Sequence, residues 1–395
     1  MNRAYFLTFA IVSMLLLSCD GMDAPSTGDG PDTPPVEDVK VPVLTLDADT
    51  FYIKADGNDK STFVVRLDGE TLTEGYTISR IVSGAPEEYD SDSWSASDEG
   101  EASFVATYTL PAEDGAEPVV LETPRIVVKA VSYDVPATAY DPQPANLDFV
   151  RRILLTQFTG TECVNCPGMK KELETFMSNA ENSSKAVLAS VHSGVFTESD
   201  PARLDVPLHD ALGANVKPAL VLNFNTSASY SLPWVDGFSS NLASKFARLY
   251  NESEAKAGIS VNAVRTEGVL RVKAAVKAAE ASDFRIGAWI LEDGIEGVQA
   301  GINDKDYYIH DNCVRAVEGE VSEGEDYSGY RLGNIEAGCR GEYVFEFDID
   351  DSWVFDNCHL VVFITTPNST GTKYYVNNVI DCPITGQTPF DYLEE

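Results

Sequence analysis

Apolar and polar positions alternate with a period of two along much of this chain. Phe63-Val64-Val65-Arg66-Leu67 and Phe104-Val105-Ala106-Thr107-Tyr108 read as half-buried strands, and Ile126 to Val131 as another. Turn chemistry separates them, at Asp56-Gly57-Asn58-Asp59 and Ser83-Gly84-Ala85-Pro86. Short strands with frequent turns predict an immunoglobulin-like β-sandwich over residues 41–133.

Pro136, Pro142 and Pro144 mark a linker, and beyond it the period changes. Over residues 134–256 strands at Ile153 to Phe158, Ala186 to His192 and Ala219 to Phe224 are separated by helical patterns. Met169, Leu173, Phe176, Met177 and Ala180 share one helix face, and Val235, Phe238, Leu242, Phe246 and Leu249 share another. Strands alternating with helices predict a sheet covered by helices, with some parallel pairing. From residue 257 to 395 the period returns to two, in Leu270 to Lys273 and Tyr343 to Ile349. Ala288 to Leu291 and Leu360 to Ile364 are continuous apolar runs suited to central strands. A second β-sandwich is expected there, so the predicted class is multidomain α+β.

The N-terminus bears on location. Arg3 precedes an apolar run, Ala4 to Leu17, too short to span a bilayer and of signal-peptide length. It ends in Leu16-Leu17-Ser18-Cys19, which resembles a bacterial lipobox. Residues 1–18 would be removed and Cys19 would carry the lipid that holds the protein on a membrane. Residues 19–40 are rich in Asp, Gly, Pro, Ser and Thr and predict a disordered tether; fully extended, it would reach roughly 70 Å. A formal charge of −35 argues against nucleic acid or anionic lipid as a partner.

Seven cysteines less Cys19 leave six, an even number suited to disulfides in an oxidising compartment. A hairpin centred on Thr370 would set Cys358 opposite Cys382, closing a loop worth about 3 kcal/mol on chain entropy. Cys313 and Cys339 would then pair, although four cysteines allow three arrangements.

The chemistry-bearing segment is Phe158-Thr159-Gly160-Thr161-Glu162-Cys163-Val164-Asn165-Cys166-Pro167, a Cys-x-x-Cys at a strand-to-helix turn. Thioredoxin-like folds present a reactive dithiol this way. There Cys163, at a helix N-terminus, would attack and Cys166 resolve. Lys217-Pro218 lies where that fold places a cis-proline facing the dithiol, making Pro218 the third residue of a redox site. Two features oppose activity. Glu162 stands where thioredoxins carry an aromatic residue, and a carboxylate there disfavours a thiolate. Gln157 replaces the buried acid that assists proton transfer. A permanent Cys163–Cys166 disulfide is the competing reading.

His192 ends a strand of the same region and could approach the dithiol. Four histidines in all make a zinc site of usual composition improbable, and neither metal nor cofactor is expected.

Taken in order, Phe158-Thr159-Gly160, Cys163-x-Asn165-Cys166-Pro167, His192-x-Gly194-x-Phe196, Pro218, Asn223, Glu292-Asp293-Gly294-Ile295, Gln299 and Tyr308-x-His310-x-x-x-Val314-Arg315 resemble the outer membrane protein 28-related lipoproteins of Gram-negative bacteria, from about Arg151 to the C-terminus. The resemblance implies a thioredoxin-like domain followed by a β-sandwich on a cell-envelope lipoprotein of the outer membrane, on its periplasmic or surface-exposed side. Cys313 stands where that pattern shows an apolar residue. Two functions follow as expectations. One is a binding or interaction role toward exported proteins or surface ligands; the other is a thiol-disulfide oxidoreductase acting on exported proteins through Cys163 and Cys166.

Overall fold

Strand pairing follows the alternation closely in the N-terminal part. In the computed structural model, which describes residues 42–111, 117–319 and 327–394, Leu44–Ala48 pairs antiparallel with Ser61–Leu67. Gly100–Thr109 lies between Tyr76–Val82 and Ile126–Val131 in a second sheet. The two sheets bury Leu46, Ile53, Phe63, Val65, Phe104, Ala106 and Val128 between them. The expected signal peptide, Cys19 and the tether lie outside the described residues.

The strand Ile153–Thr159 is buried at every position, which explains its run of apolar residues. It pairs parallel with Ala186–His192 and antiparallel with Ala219–Leu222. The first helix, Cys166–Met177, starts at the second cysteine with Pro167 in its first turn, where a missing amide hydrogen costs nothing. It stops at Met177, short of the expected Ala180. There Asn179 caps a separate short helix, Ala180–Lys185, by accepting from the Glu181 amide. The helix Phe238–Asn251 buries Phe238, Leu242 and Phe246, whereas Val235 lies outside it and is exposed. The strand from Ala219 ends at Leu222, because Asn223 and Phe224 take positive φ. Asn223 Oδ1 accepts from the Leu154 amide and ties this turn back to the neighbouring strand.

The α/β part does not end its sheet where its own strands run out. Ser190 pairs parallel with Cys313, and the Ser190 amide donates to Asn312 O at 2.8 Å. Through Cys313–Glu318 the sheet continues into Ser282–Glu292, Cys358–Pro367 and Tyr374–Pro383, giving nine strands. A four-stranded sheet of Arg340–Asp348, Val269–Ala278, Ala257–Thr266 and Gly386–Thr388 packs against the C-terminal portion. Ile259, Val272, Phe345, Ile286, Ile290 and Val362 fill this β-sandwich core. Residues 42–395 form one compact unit.

Two expected disulfides are corrected. Cys313, Cys339, Cys358 and Cys382 are buried free thiols. The C-terminal hairpin pairs Thr365 with Val376, one residue off the expected register. A bulge at Asn377 then adds another, so Cys382 faces Leu360 and Cys358 lies two positions away. Asn377 earns its place by bonding: its carbonyl accepts from Arg151 and its side chain from the Lys256 amide. Cys313 sits beside His192, whereas Cys339 lies in a turn near Thr45 and Asp47, so those two sulfurs belong to different neighbourhoods.

Candidate functional site: a covered disulfide

Cys163 and Cys166 form a disulfide with Cα atoms 5.4 Å apart, and both residues are buried. Their burial comes from the far end of the chain. The segment between Glu292 and Cys313 folds over the Cys loop, and Gln299 anchors it. Its amide nitrogen donates to Cys163 O at 2.9 Å and to Thr161 O at 3.1 Å, while the Ala300 amide donates to Thr161 O at 2.7 Å. Gly301, at φ +83°, lies so close that a Cβ there would come within 2.4 Å of Val164 O. Only glycine permits that approach.

The residues behind the family resemblance are what hold this cover. Glu292 and Arg315, at its two roots, form a largely buried ion pair at 3.2 Å, and Arg315 also donates to Pro201 O. His310 Nε2 meets Gly297 O at 3.1 Å. Burial, with the nearby His192, pushes the His310 pKa down to about 4, so it is neutral near pH 7.

On the other side of the loop, Glu162 accepts from the Ser199 amide at 2.8 Å, and its own amide donates to Phe196 O. Phe196 has φ +63°, and its carbonyl occupies the space a Cβ on Gly160 would need. Gln157 is buried and accepts from Ser190 Oγ at 3.3 Å. The Lys217–Pro218 peptide is cis. Because Phe158 pairs with Ala219, Pro218 stands level with Thr159, at the end of the sheet where the Cys loop begins. Lys217 is buried and donates to Ser193 O and Val195 O. Desolvation lowers its pKa to about 8, against the pull of Asp200 and Glu198.

His192 has a partner that composition and spacing did not reveal. Its Nδ1 lies 2.8 Å from Asp200 Oδ2, with both side chains essentially inaccessible. Burial opposes ionisation of Asp200, but His192 and the amides of Thr161 and Ala202 prevail and hold its pKa at about 2. The other imidazole nitrogen, Nε2, is 3.7 Å from Cys313 Sγ. Among the described residues no group of His, Cys, Asp and Glu side chains is arranged to hold a metal ion.

Several apolar residues on the cover and on the loops it contacts are exposed. Val164 is 62% exposed, Val216 66% and Val298 74%, and Val195 and Phe196 are exposed beside them. They sit on four separate loops that the contacts above draw together.

Residues 209–385 match the model of one family, outer membrane protein Omp28. That stretch contains Pro218, Glu292, Gln299, His310 and Arg315 and excludes Cys163 and Cys166, so it begins later than the expected Arg151. The Omp28 match places the chain in the cell envelope, with outer membrane proteins. No helix among the described residues is long and apolar enough to cross a membrane. No curated protein matches the chain. Of solved structures, HBP35 of Porphyromonas gingivalis is 18% identical, covering 60% of this chain and 77% of its own, with a TM-score of 0.49. A crystal structure from Agrobacterium tumefaciens is 12% identical, covering 62% and 97%, with a TM-score of 0.37.

Proposed function

We infer that this Omp28-related protein is a lipid-anchored envelope lipoprotein, with an immunoglobulin-like module and a thioredoxin-like portion that binds rather than turns over disulfides. The observation that carries this reading is the cover. Thiol-disulfide exchange requires an incoming thiolate to reach a sulfur, and Gln299, Ala300 and Gly301 lie across the loop that bears both sulfurs. On a strongly acidic chain, we take the exposed valines and Phe196 of the loops joined at this cover as an apolar docking face. Such a face suits an extended, apolar segment of an exported protein, and Glu162 and Glu198 at its edge favour basic flanking residues.

The reduction potential of Cys163–Cys166 tests this. A value below about −300 mV, typical of structural disulfides, with no insulin reductase activity, is the expected result. A potential in the oxidoreductase range, with activity lost in Cys163→Ser, would establish the enzyme reading instead. Lipid attachment is tested separately: radiolabelled fatty acid should enter the protein and be lost in Cys19→Ser.

A further inference from the structure

Cys313 has surroundings unlike those of the other buried thiols. Asp200, His192 and Cys313 form a continuous array, with Oδ2 to Nδ1 at 2.8 Å and Nε2 to Sγ at 3.7 Å. An ionised Asp200 accepts a hydrogen bond from Nδ1–H and leaves Nε2 free to accept from the Cys313 thiol, which also lies 3.7 Å from Asp311 O. This is the arrangement by which a histidine activates a cysteine nucleophile.

Through His192 the array shares a cavity with one cysteine of the disulfide. Gln157 pairs with Ser190, Thr159 with His192, and Ser190 with Cys313. Paired residues of adjacent strands project to the same face, so Gln157, Ser190, His192 and Cys313 share one side of the sheet. A cavity of about 80 Å³ lies on that side. Its walls include Gln157, Ser190, His192 and His310, with Cys166 and Pro167 of the first helix opposite them. Of the two disulfide cysteines Cys166 lines this cavity, and of the array His192 does, with Asn312 next to Cys313 in its wall.

We propose that Cys313 is an internal nucleophile that exchanges with the Cys163–Cys166 disulfide, with His192 as its base and Asp200 orienting the imidazole. The Cys313 proton passes to His192, and the thiolate attacks Cys166 Sγ. The Cys166–Cys313 bond forms as the Cys163–Cys166 bond breaks, and the leaving Cys163 thiolate recovers the proton. One disulfide replaces another, and no oxidant or reductant is consumed. The product carries a free thiol at Cys163, next to the exposed Val164, on the apolar face. A disulfide covered against outside thiols would then be opened from within. Burial pushes the Cys313 thiol well above its ordinary pKa, which makes the exchange slow and keeps Cys163–Cys166 as the resting form.

The test uses the full protein, oxidised and folded, with N-ethylmaleimide as a trap and non-reducing digestion followed by mass spectrometry. Labelled Cys163 should accumulate over hours together with a Cys166–Cys313 linked peptide. Cys339, Cys358 and Cys382 should stay unlabelled, which excludes global unfolding as the route. Cys313→Ala should abolish both products, and His192→Gln should slow them at least tenfold. In Cys163→Ser, mild oxidation with diamide should join Cys166 to Cys313. Absence of that link in a folded Cys163→Ser protein, or equal labelling of Cys163 in Cys313→Ala, overturns the proposal. Insulin turnover reads the question of outside substrates independently, so either idea can fail without the other.

Discussion

Two histidines give the protein opposite responses to pH. His310, with a folded pKa of about 4, binds its proton less well than in the unfolded chain, where it titrates near 6.5. Its contribution is therefore favourable above pH 6.5, is lost as pH falls toward 4, and does not change below that. For His359, burial works against the proton, but Asp381 at 2.6 Å and Asp293 at 3.7 Å outweigh it and raise the pKa to about 9. Its stabilisation is complete below pH 6.5 and is lost as pH rises through 9. Each effect is at most about 3 kcal/mol, from 1.36 kcal/mol per pKa unit. Urea unfolding across pH 4 to 9 should show a maximum near 6.5, with His310→Gln flattening the acid limb and His359→Gln the alkaline limb. A Gln299→Ala change acts without titration. It removes the donor to Cys163 O and Thr161 O from a buried site, at a cost of about 1–3 kcal/mol. Reduction of the disulfide by dithiothreitol should become faster by tenfold or more; an unchanged rate would mean that Gln299 does not guard it.

The element that decides the site is the segment between Glu292 and Cys313, and its role was the least legible part of the sequence. The cysteine pair, the strand before it, the helix after it and a proline before the third strand could all be read locally, because each is fixed by periodicity or turn chemistry. That Gln299 would bond across to Cys163 could not, since more than 130 residues separate them and no spacing rule spans that distance. The ordered resemblance pointed to Gln299, His310 and Arg315 without giving a reason, and the reason is the cover. The hairpin disulfide failed for a local cause. The turn sets the register one residue off, and a bulge at Asn377, which has no signature in an alternating strand, adds a second, so Cys358 ends two positions from the residue facing Cys382. Gly301 allows a sharper trial of the cover. Gly301→Ala adds a methyl group within 2.4 Å of Val164 O at a positive φ, and neither strain can relax through a flexible side chain. Its effect on dithiothreitol accessibility should exceed that of Gln299→Ala, while the cores at either end of the molecule unfold at unchanged urea concentration.

At the scale of the whole molecule, the question is what joins the N-terminal sheets to the C-terminal sandwich. The contacts are specific and partly charged. Val344 of the strand Arg340–Asp348 belongs to the N-terminal core, and Arg340 donates to Ala48 O. At the centre Lys273 and Glu342 form an ion pair at 3.0 Å with both side chains almost wholly buried. Glu342 also accepts from the Phe51 amide, Thr50 and Thr138, so its carboxylate ties the first module and the linker to the sandwich. The sequence offered Lys273 only as a polar position in an alternating strand, which reads as solvent-facing, and Glu342 lay just outside the strand expected from Tyr343. They face a neighbouring module instead, and alternation cannot separate those cases. Breaking one half of the pair leaves a buried charge uncompensated, so Glu342→Ala should cost about 3–5 kcal/mol. Replacing both, as Lys273→Met with Glu342→Leu, should recover most of that loss in urea unfolding, because the apolar pair carries no desolvation penalty. The remaining deficit measures the bonds from Glu342 to Phe51, Thr50 and Thr138, which the apolar pair cannot restore. Cleavage by a protease near the linker prolines should then distinguish the two variants. The single change should expose the linker, and the double change should protect it nearly as well as the natural pair does.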